Sequence, residues 1–105
     1  MKRTNAYLAI LFGISAASAA IPAFAYTGES LAKDAKITMQ DAQTIALAAQ
    51  PGSIVDSELE NEDGGSGLRY SFDIKPAAGG ATHELGVDAK TGKLLENSVE
   101  GANPD

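Results

Sequence analysis

The strongest constraint on the fold is a period of two in the segment from Leu68 to Lys75. Apolar and polar side chains alternate there. Because successive side chains of a β-strand point to opposite faces, the segment is predicted to be a strand with one apolar face. The apolar face carries Leu68, Tyr70, Phe72 and Ile74, and the other face carries Arg69, Ser71, Asp73 and Lys75.

A second alternating segment, from Thr82 to Asp88, follows the turn-forming stretch from Pro76 to Ala81. Residues directly opposite each other in an antiparallel pair share a face, so a register can be tested for consistency. An antiparallel pair with Lys75 opposite Thr82 is predicted, because it places Ile74 by His83, Phe72 by Leu85 and Tyr70 by Val87.

Two further strands are predicted to flank this pair. A glycine-rich loop, 61–67, precedes it, and a turn from Ala89 to Gly92 follows it, with glycine at the left-handed position of a type I turn and bulge. Lys93 to Glu96 then returns as a short strand. The strand before the loop, Ser53 to Glu60, is predicted to place Val55, Ser57 and Leu59 on one face and Ile54, Asp56, Glu58 and Glu60 on the other.

A helix is predicted to begin after Thr38. The Thr38 hydroxyl can accept a backbone N–H, and Asp41 completes a start that resembles a capping box. Pro51-Gly52 ends the helix. Its apolar face is predicted to carry Ala42, Ile45, Ala46 and Ala49, which follow at helical spacing.

These elements predict an α+β fold in which one α-helix packs on a three- to four-stranded antiparallel β-meander. The sequence shows no internal repeat and no linker between two cores. A single small domain is therefore expected.

The first 25 residues have the three parts of a secretory signal peptide. A basic start, Lys2-Arg3, precedes an apolar stretch, and Pro22 precedes an A-x-A site that ends at Ala25. Cleavage after Ala25 is predicted, with a weaker site at 17–19. A membrane anchor is not predicted, because polar and helix-breaking residues keep the apolar run below the roughly 20 residues that a span requires. The remaining chain is predicted to comprise a flexible lead-in (26–36), a domain (37–96) and a polar tail (97–105).

The composition excludes several classes of function. The 105 residues include no cysteine, which removes disulfides, thiolate zinc sites and cysteine nucleophiles. The net charge is −6 and becomes −8 when Lys2 and Arg3 leave with the signal peptide. A nucleic-acid binder needs a basic surface, so that function is not expected. Without disulfides, the helix and sheet must hold the domain together by their own core.

Several segments together resemble a PepSY domain: the capped helix from Ile37 to Ala46, the Pro51-Gly52 break, the acidic strand, the aromatic strand and, most specifically, Val87-Asp88-Ala89-Lys90-Thr91-Gly92-Lys93-Leu94-Leu95. The resemblance covers roughly residues 37–96. It implies a non-enzymatic binding domain of the kind found in propeptides of thermolysin-like metallopeptidases, where such domains are thought to inhibit or chaperone the enzyme, and in exported or membrane-tethered modules. Because no peptidase follows the domain in this sequence, a peptidase partner is expected to be met in trans.

One face of the predicted sheet is a candidate binding surface because it is acidic. Asp73 and Glu84 lie opposite each other in the predicted register, and like charges so placed are unfavourable unless a cation or a basic partner lies between them. The surface could therefore bind a cation or a basic protein, or it could be an ordinary solvated face partly neutralised by Arg69 and Lys75. The candidate residues are Asp56, Glu58, Glu60, Asp73, Glu84 and Asp88.

The remaining candidates are interpreted as structural. Glu62-Asp63-Gly64 lacks the ligand spacing of a calcium loop. His83, the one histidine, is predicted to be a packing residue, because Ser71 lies on the other face and Ser57 lies two strands away. Tyr70 and Phe72 are predicted to belong to the core. The glycine-rich loop precedes a strand, whereas a phosphate cradle needs a helix N-terminus. No catalytic, cofactor-binding or metal-binding residue is predicted.

We therefore expect an exported, periplasmic or secreted, non-enzymatic module that binds a protein or peptide, with peptidase inhibition or regulation in trans as one form of that function. A free sheet edge offers backbone groups to an extended peptide. The alternative is an acidic cation-binding or buffering protein of the cell envelope. No cofactor, no nucleic-acid partner and no stable membrane span after signal cleavage are expected, and the oligomeric state is left open.

Overall fold

The computed structural model describes residues 26–100 and contains one α-helix on a four-stranded antiparallel sheet. The predicted signal peptide, 1–25, and the end of the predicted tail, 101–105, lie outside the described residues. The strand order is β1-β2-β3-β4, so the predicted α+β meander is confirmed, with four strands. The elements are α1 (Met39–Ala49), β1 (Gly52–Asn61), β2 (Leu68–Pro76), β3 (His83–Asp88) and β4 (Leu94–Val99), preceded by a 3₁₀ helix, Glu29–Asp34.

Helix α1 begins at the capping box that the sequence predicts. The Asp41 N–H donates to the Thr38 hydroxyl over 3.0 Å, and the Thr38 N–H donates to the Asp41 carboxylate over 3.1 Å. The buried face is shifted from the prediction: Ile45 is half-buried and Ala49 is exposed. The reason is that Ile45 lies at the side of the helix against the β3–β4 turn, close to Gly92. The buried positions are Met39, Ala42, Gln43 and Ala46.

The central strands pair in the predicted register. Ile74 lies opposite His83, Phe72 opposite Leu85 and Tyr70 opposite Val87. The sheet face that carries these residues packs under α1, and we call it the inner face; the opposite face is the outer face. The core of the domain lies between α1 and the inner face, and it contains Leu59, Leu68, Tyr70, Phe72, Ile74, Leu85, Val87 and Ala89 together with the helix residues.

The predicted faces of β1 are wrong at its beginning because a β-bulge interrupts the alternation. Ile54 lies opposite Ile74 and Asp56 lies opposite Asp73, so Val55 is an extra residue between two aligned pairs. Ile54 consequently packs against the core from the inner face, and Val55 is 56% exposed. Beyond the bulge, the predicted faces of Ser57 to Glu60 are as observed.

The segment predicted as a lead-in, 26–36, contains the 3₁₀ helix and contacts the edge of β1. The Leu59 N–H donates to the Thr27 carbonyl over 2.9 Å, and Thr27 forms a parallel bridge with Glu58. Gly28 follows with φ of +86°, and a Cβ there would overlap the Leu59 carbonyl oxygen. Glycine at position 28 therefore permits this close backbone approach.

Strand β4 extends further than the predicted short strand. It reaches Val99, within the segment predicted as a polar tail, and the Glu100 N–H still donates to the Thr82 carbonyl over 2.7 Å. The predicted turn before β4 is observed, with Gly92 at φ of +81°. Within residues 26–100, no helix has the length and apolar character needed to cross a membrane.

Candidate binding surface

Carboxylates from all four strands gather on the outer face of the sheet. Asp56, Asp73 and Glu84 lie in one cross-strand row, since Asp56 is opposite Asp73 and Asp73 is opposite Glu84. This face contains a depression of about 260 Å³. We define the acidic surface as the carboxylates that line this depression: Asp56, Glu58, Glu60, Glu62, Asp73, Glu84 and Glu96.

The densest part of the negative charge lies towards β4. Carboxylate oxygens of Asp73, Glu84 and Glu100 all lie within 4.8 Å of one another. Asp73 is half-buried, whereas Glu84 and Glu100 are exposed. Oxygen ligands at this spacing can hold a hard cation, and they can equally receive the ammonium or guanidinium group of a partner.

The crowding of these groups changes how they bind protons. Burial raises the pKa of Glu58, and the neighbouring charges of Glu60, Asp56 and Asp73 raise it further. For Asp73 and Glu84 also, burial raises the pKa most and surrounding carboxylates add to it. These three carboxylates of the acidic surface therefore take up protons more readily than they would in an unfolded chain.

Arg69 is a basic side chain at one end of the acidic surface. It is 7% exposed, and its Nη1 lies 3.2 Å from the Glu96 Oε1, with which it forms an ion pair. Its Nη2 donates to the Asp63 carbonyl over 3.1 Å, which ties the 61–67 loop to the sheet. The guanidinium passes over Gly86, where a Cβ would lie 2.9 Å from Nη1. A side chain at position 86 would thus displace Arg69.

Asp88, a predicted member of the acidic face, does not belong to the surface. It is 2% exposed at the end of β3 and does not line the depression. Its carboxylate accepts the Ser66 N–H over 2.6 Å and the Ser66 hydroxyl over 2.9 Å, and it also accepts the backbone N–H groups of Lys90 and Thr91. Burial alone would raise the pKa of Asp88, but these hydrogen bonds outweigh it and lower the pKa to about 2. Sequence alternation alone placed Asp88 with the other acids; the turn that follows it gives its carboxylate other partners.

The five other predicted residues lie together on the acidic surface: Asp56, Glu58, Glu60, Asp73 and Glu84. Sequence reasoning missed Glu62, Glu96 and Glu100. The signal that could have found the last two is the spacing of Glu96, Ser98 and Glu100, which continues the period of two beyond the predicted end of the last strand.

The side chains considered for catalysis are held apart. His83 lies opposite Ile74 on the inner face, and its Nδ1 is 2.9 Å from the Asn97 Oδ1. Ser71 lies on the outer face, where its hydroxyl donates to the Glu60 carboxylate over 2.6 Å. Ser57 lies opposite Phe72 on β1, with β2 between it and His83. These three residues therefore do not form a nucleophile and base pair.

The aromatic residues of β2 belong to the core, and both Tyr70 and Phe72 are buried. The Tyr70 hydroxyl donates to the Ile37 carbonyl, just before the helix cap, over 2.8 Å. Burial raises the pKa of Tyr70 to about 12, with smaller contributions from Tyr26 and Asp41. Tyr70 consequently links the sheet to the start of α1 as a neutral donor.

Comparison with known protein families relates most of the domain to a described family. The family described as "Peptidase propeptide and YPEB domain", PepSY, matches residues 36–97, which include α1 and the sheet as far as Asn97. No curated protein and no solved structure matches the chain.

Proposed function

Because the chain belongs to the PepSY family, we propose that it is an exported, non-enzymatic module that binds a protein or peptide, and that its partners include a peptidase that it restrains in trans. The observation that carries this proposal is the extent of the match, which covers more than half of the chain and includes α1 and nearly all of the sheet. PepSY domains are related to peptidase propeptides and are generally non-catalytic regulatory modules.

The acidic surface supports a partner with a basic face. Its carboxylates come from all four strands and the 61–67 loop and line one depression. The charge of the predicted exported chain, 26–105, is −8. Complementary charge accelerates encounter and selects partners more than it adds affinity. A basic partner would also separate the carboxylates of Asp73 and Glu84, which lie opposite each other.

The export part of the proposal can be tested first. The full chain is expressed in a host with a secretory pathway, and the mass of the exported product is measured. Cleavage after Ala25 predicts a protein that begins at Tyr26. A product that retains residues 1–25 in the cytoplasm would contradict export.

The binding function is tested by retention of exported proteins on the immobilised product. We expect an exported protein to be retained at micromolar concentration, and a retained peptidase to cleave its substrate more slowly when the product is added. The matched control is the double variant Asp73→Asn, Glu84→Gln, which keeps the shape of the acidic surface and removes two charges. Failure to retain any exported protein would reject the proposed function.

Cation binding is a second candidate function, favoured by the carboxylate oxygens of Asp73, Glu84 and Glu100 within 4.8 Å of one another. Exposed acidic groups also lie this close without an ion, so titration calorimetry with Ca²⁺, Mg²⁺, Cu²⁺ and Zn²⁺ is the test. A cation-binding protein would give heat below millimolar cation, and Glu84→Gln would remove that heat while Glu62→Gln would not. Absence of heat for all four cations would reject this candidate.

A further inference from the structure

The two edges of the sheet differ in how they are covered. At β1, the Leu59 N–H is already bonded to Thr27, and the bulge at Val55 distorts the next part of the strand. Bulges and covering segments are devices that keep an edge strand from pairing. At β4, no strand within residues 26–100 pairs with the side away from β3. The edge of β4 is therefore the more accessible of the two.

The backbone groups that face this free edge can be identified. The Glu100 N–H donates to Thr82, and in an antiparallel ladder such bonded pairs recur at every second residue. Ser98 and Glu96 therefore bond to β3, whereas the N–H and C=O groups of Asn97 and Val99 point away from it. An added strand would bond to these two residues.

Side chains on the two faces of β4 differ in character. Ser98 lies opposite Glu84 and Glu96 lies opposite Gly86, which places both on the outer face with the acidic surface. Val99 lies opposite His83 on the inner face and is 43% exposed. Leu94, also on the inner face, is 37% exposed. The free edge is thus bordered by the acidic surface on one side and, on the other, by the apolar side chains of Leu94 and Val99 with the polar Asn97 between them.

We propose that the edge of β4 binds an extended peptide segment in which basic side chains alternate with apolar ones. This inference rests on the proposed binding function and names its surface and the chemistry of the partner. Basic residues of the added strand face the acidic surface. The small Ser98 side chain lets one of them reach the cluster of Asp73, Glu84 and Glu100. Apolar residues of the same strand extend the inner face beside Val99.

A second copy of this chain is a less favourable occupant of the edge. Pairing of two β4 strands would bring the outer-face acids Glu96 and Glu100 of both copies to one seam. Arg69 does not offset this repulsion between the copies, because it already forms an ion pair with Glu96 of its own chain. Like charges across a sheet destabilise pairing, whereas a basic strand gains from the same groups.

The test uses a synthetic peptide that alternates lysine and valine, titrated against the exported product of the full chain. Asn97→Pro removes a free-edge N–H without removing a bond between β3 and β4, because proline is tolerated where the edge N–H faces solvent. The matched control is Asn97→Ala, which keeps that N–H and also loses the contact with His83. We expect Asn97→Pro to weaken binding about tenfold relative to Asn97→Ala, and binding to weaken with added salt.

Two control peptides make the result independent of how well the proline variant folds. A peptide with N-methyl groups on alternate backbone nitrogens keeps every charge but cannot complete the ladder, and we expect it to bind about tenfold more weakly. A peptide of the same composition with its lysines in one block is expected to bind weakly too. Equal binding of all three peptides would show charge attraction alone and would overturn the proposal.

Other results would overturn the edge assignment without rejecting the proposed function. An exported partner retained equally by Asn97→Pro and Asn97→Ala would place binding elsewhere on the domain. Self-association of the chain that Asn97→Pro abolishes would assign the edge to a second copy. Rejection of the proposed function itself would be seen separately, as failure to retain any exported protein.

Discussion

Replacement of Asp88 provides the sharpest test of how the domain is held together. Its carboxylate is buried and accepts four hydrogen bonds, two from Ser66 in the β1–β2 loop and two from Lys90 and Thr91 in the β3–β4 turn. Hydrogen bonds to a charged group contribute about 1.5 to 3 kcal/mol each. The donors freed by a substitution lie on exposed residues and can reach water, so the loss is less than the sum.

The expected effects follow from which oxygen each donor uses. Asp88→Ala removes all four bonds, and we expect it to lower the free energy of unfolding by about 3 kcal/mol. Asp88→Asn keeps the Oδ1 acceptor but places an NH₂ group against the Ser66 N–H, which bonds to Oδ2 over 2.6 Å. We expect this variant to lose about 2 kcal/mol of unfolding free energy, which corresponds to a decrease in Tm of roughly 8 to 16 °C for a domain of this size.

The pH dependence of the unfolding free energy distinguishes the contribution of the Asp88 charge from that of the side chain's shape. Its pKa falls from 3.8 to about 2 on folding, so its contribution is fully present above pH 3.8 and is lost as the pH falls towards 2. Urea unfolding followed by far-UV circular dichroism at pH 6 and pH 2.5 measures this. The difference in unfolding free energy between the native chain and Asp88→Asn should be smaller at pH 2.5 than at pH 6. The control Asp63→Asn makes the same chemical change at an exposed residue of the 61–67 loop. A difference that stays constant with pH, or an Asp88→Asn variant as stable as Asp63→Asn, would refute the reasoning.

Three further substitutions test other contacts. Glu84→Gln should raise the free energy of unfolding at pH 7 by about 0.5 kcal/mol, because it removes a like charge from the cross-strand row. The pKa of Glu84 is raised on folding, so this gain should disappear as the pH falls through that pKa towards 4.5, measured by urea unfolding. Gly28→Ala should detach the segment before the 3₁₀ helix from Leu59, seen as faster exchange of the Leu59 amide. Tyr70→Phe should cost about 1 kcal/mol of unfolding free energy, measured by thermal denaturation, since the Ile37 carbonyl loses its donor.

Each of these substitutions has a matched control. Glu62→Gln makes the same change at the rim of the depression, outside the cross-strand row, and should leave stability nearly unchanged. Gly79→Ala imposes the same positive φ strain as Gly28→Ala but meets no neighbouring atom within 4 Å, so it should leave the exchange of the Leu59 amide unaltered. Tyr26→Phe is the control for Tyr70→Phe: it removes the hydroxyl of a half-buried tyrosine and should lower the unfolding free energy less. A control variant that changed stability or amide exchange as much as its partner would show that the contact removed in the partner does not cause the effect.

The elements that the sequence predicts correctly depend on neighbours along the chain or on a simple period. The capping box of α1 involves residues three apart, and the register of β2 with β3 follows from matching two uninterrupted alternations across a short loop. The family resemblance rests on several segments, most specifically on Val87 to Leu95, and the match over residues 36–97 confirms it.

The errors arise where one residue interrupts a period or where distant segments meet. The bulge at Val55 reverses the faces before it, and no local pattern marks it, because Ile54 and Val55 are equally apolar. Asp88 continues the alternation of β3, but Ser66, from a loop 22 residues earlier, completes its hydrogen bonds. The contact of Thr27 with the edge of β1 likewise depends on segments far apart in the chain. The centre of the acidic surface follows from the alternation of the first three strands, whereas its extension to Glu96 depends on β4 continuing beyond its predicted end.

The path of Arg69 across Gly86 has a consequence for local opening of the sheet. Strand β4 is fastened near its beginning, where Glu96 meets the buried Arg69 and the Asp88 turn closes the hairpin. Beyond Glu96, the side-chain contact with β3 is the exposed one between Asn97 and His83. We expect the last residues of β4 to open and close without unfolding the rest, so that amide exchange slows in steps from Ser98 back to Glu96. Binding of an added strand at this edge should then slow amide exchange at the end of β4 and remove that gradient.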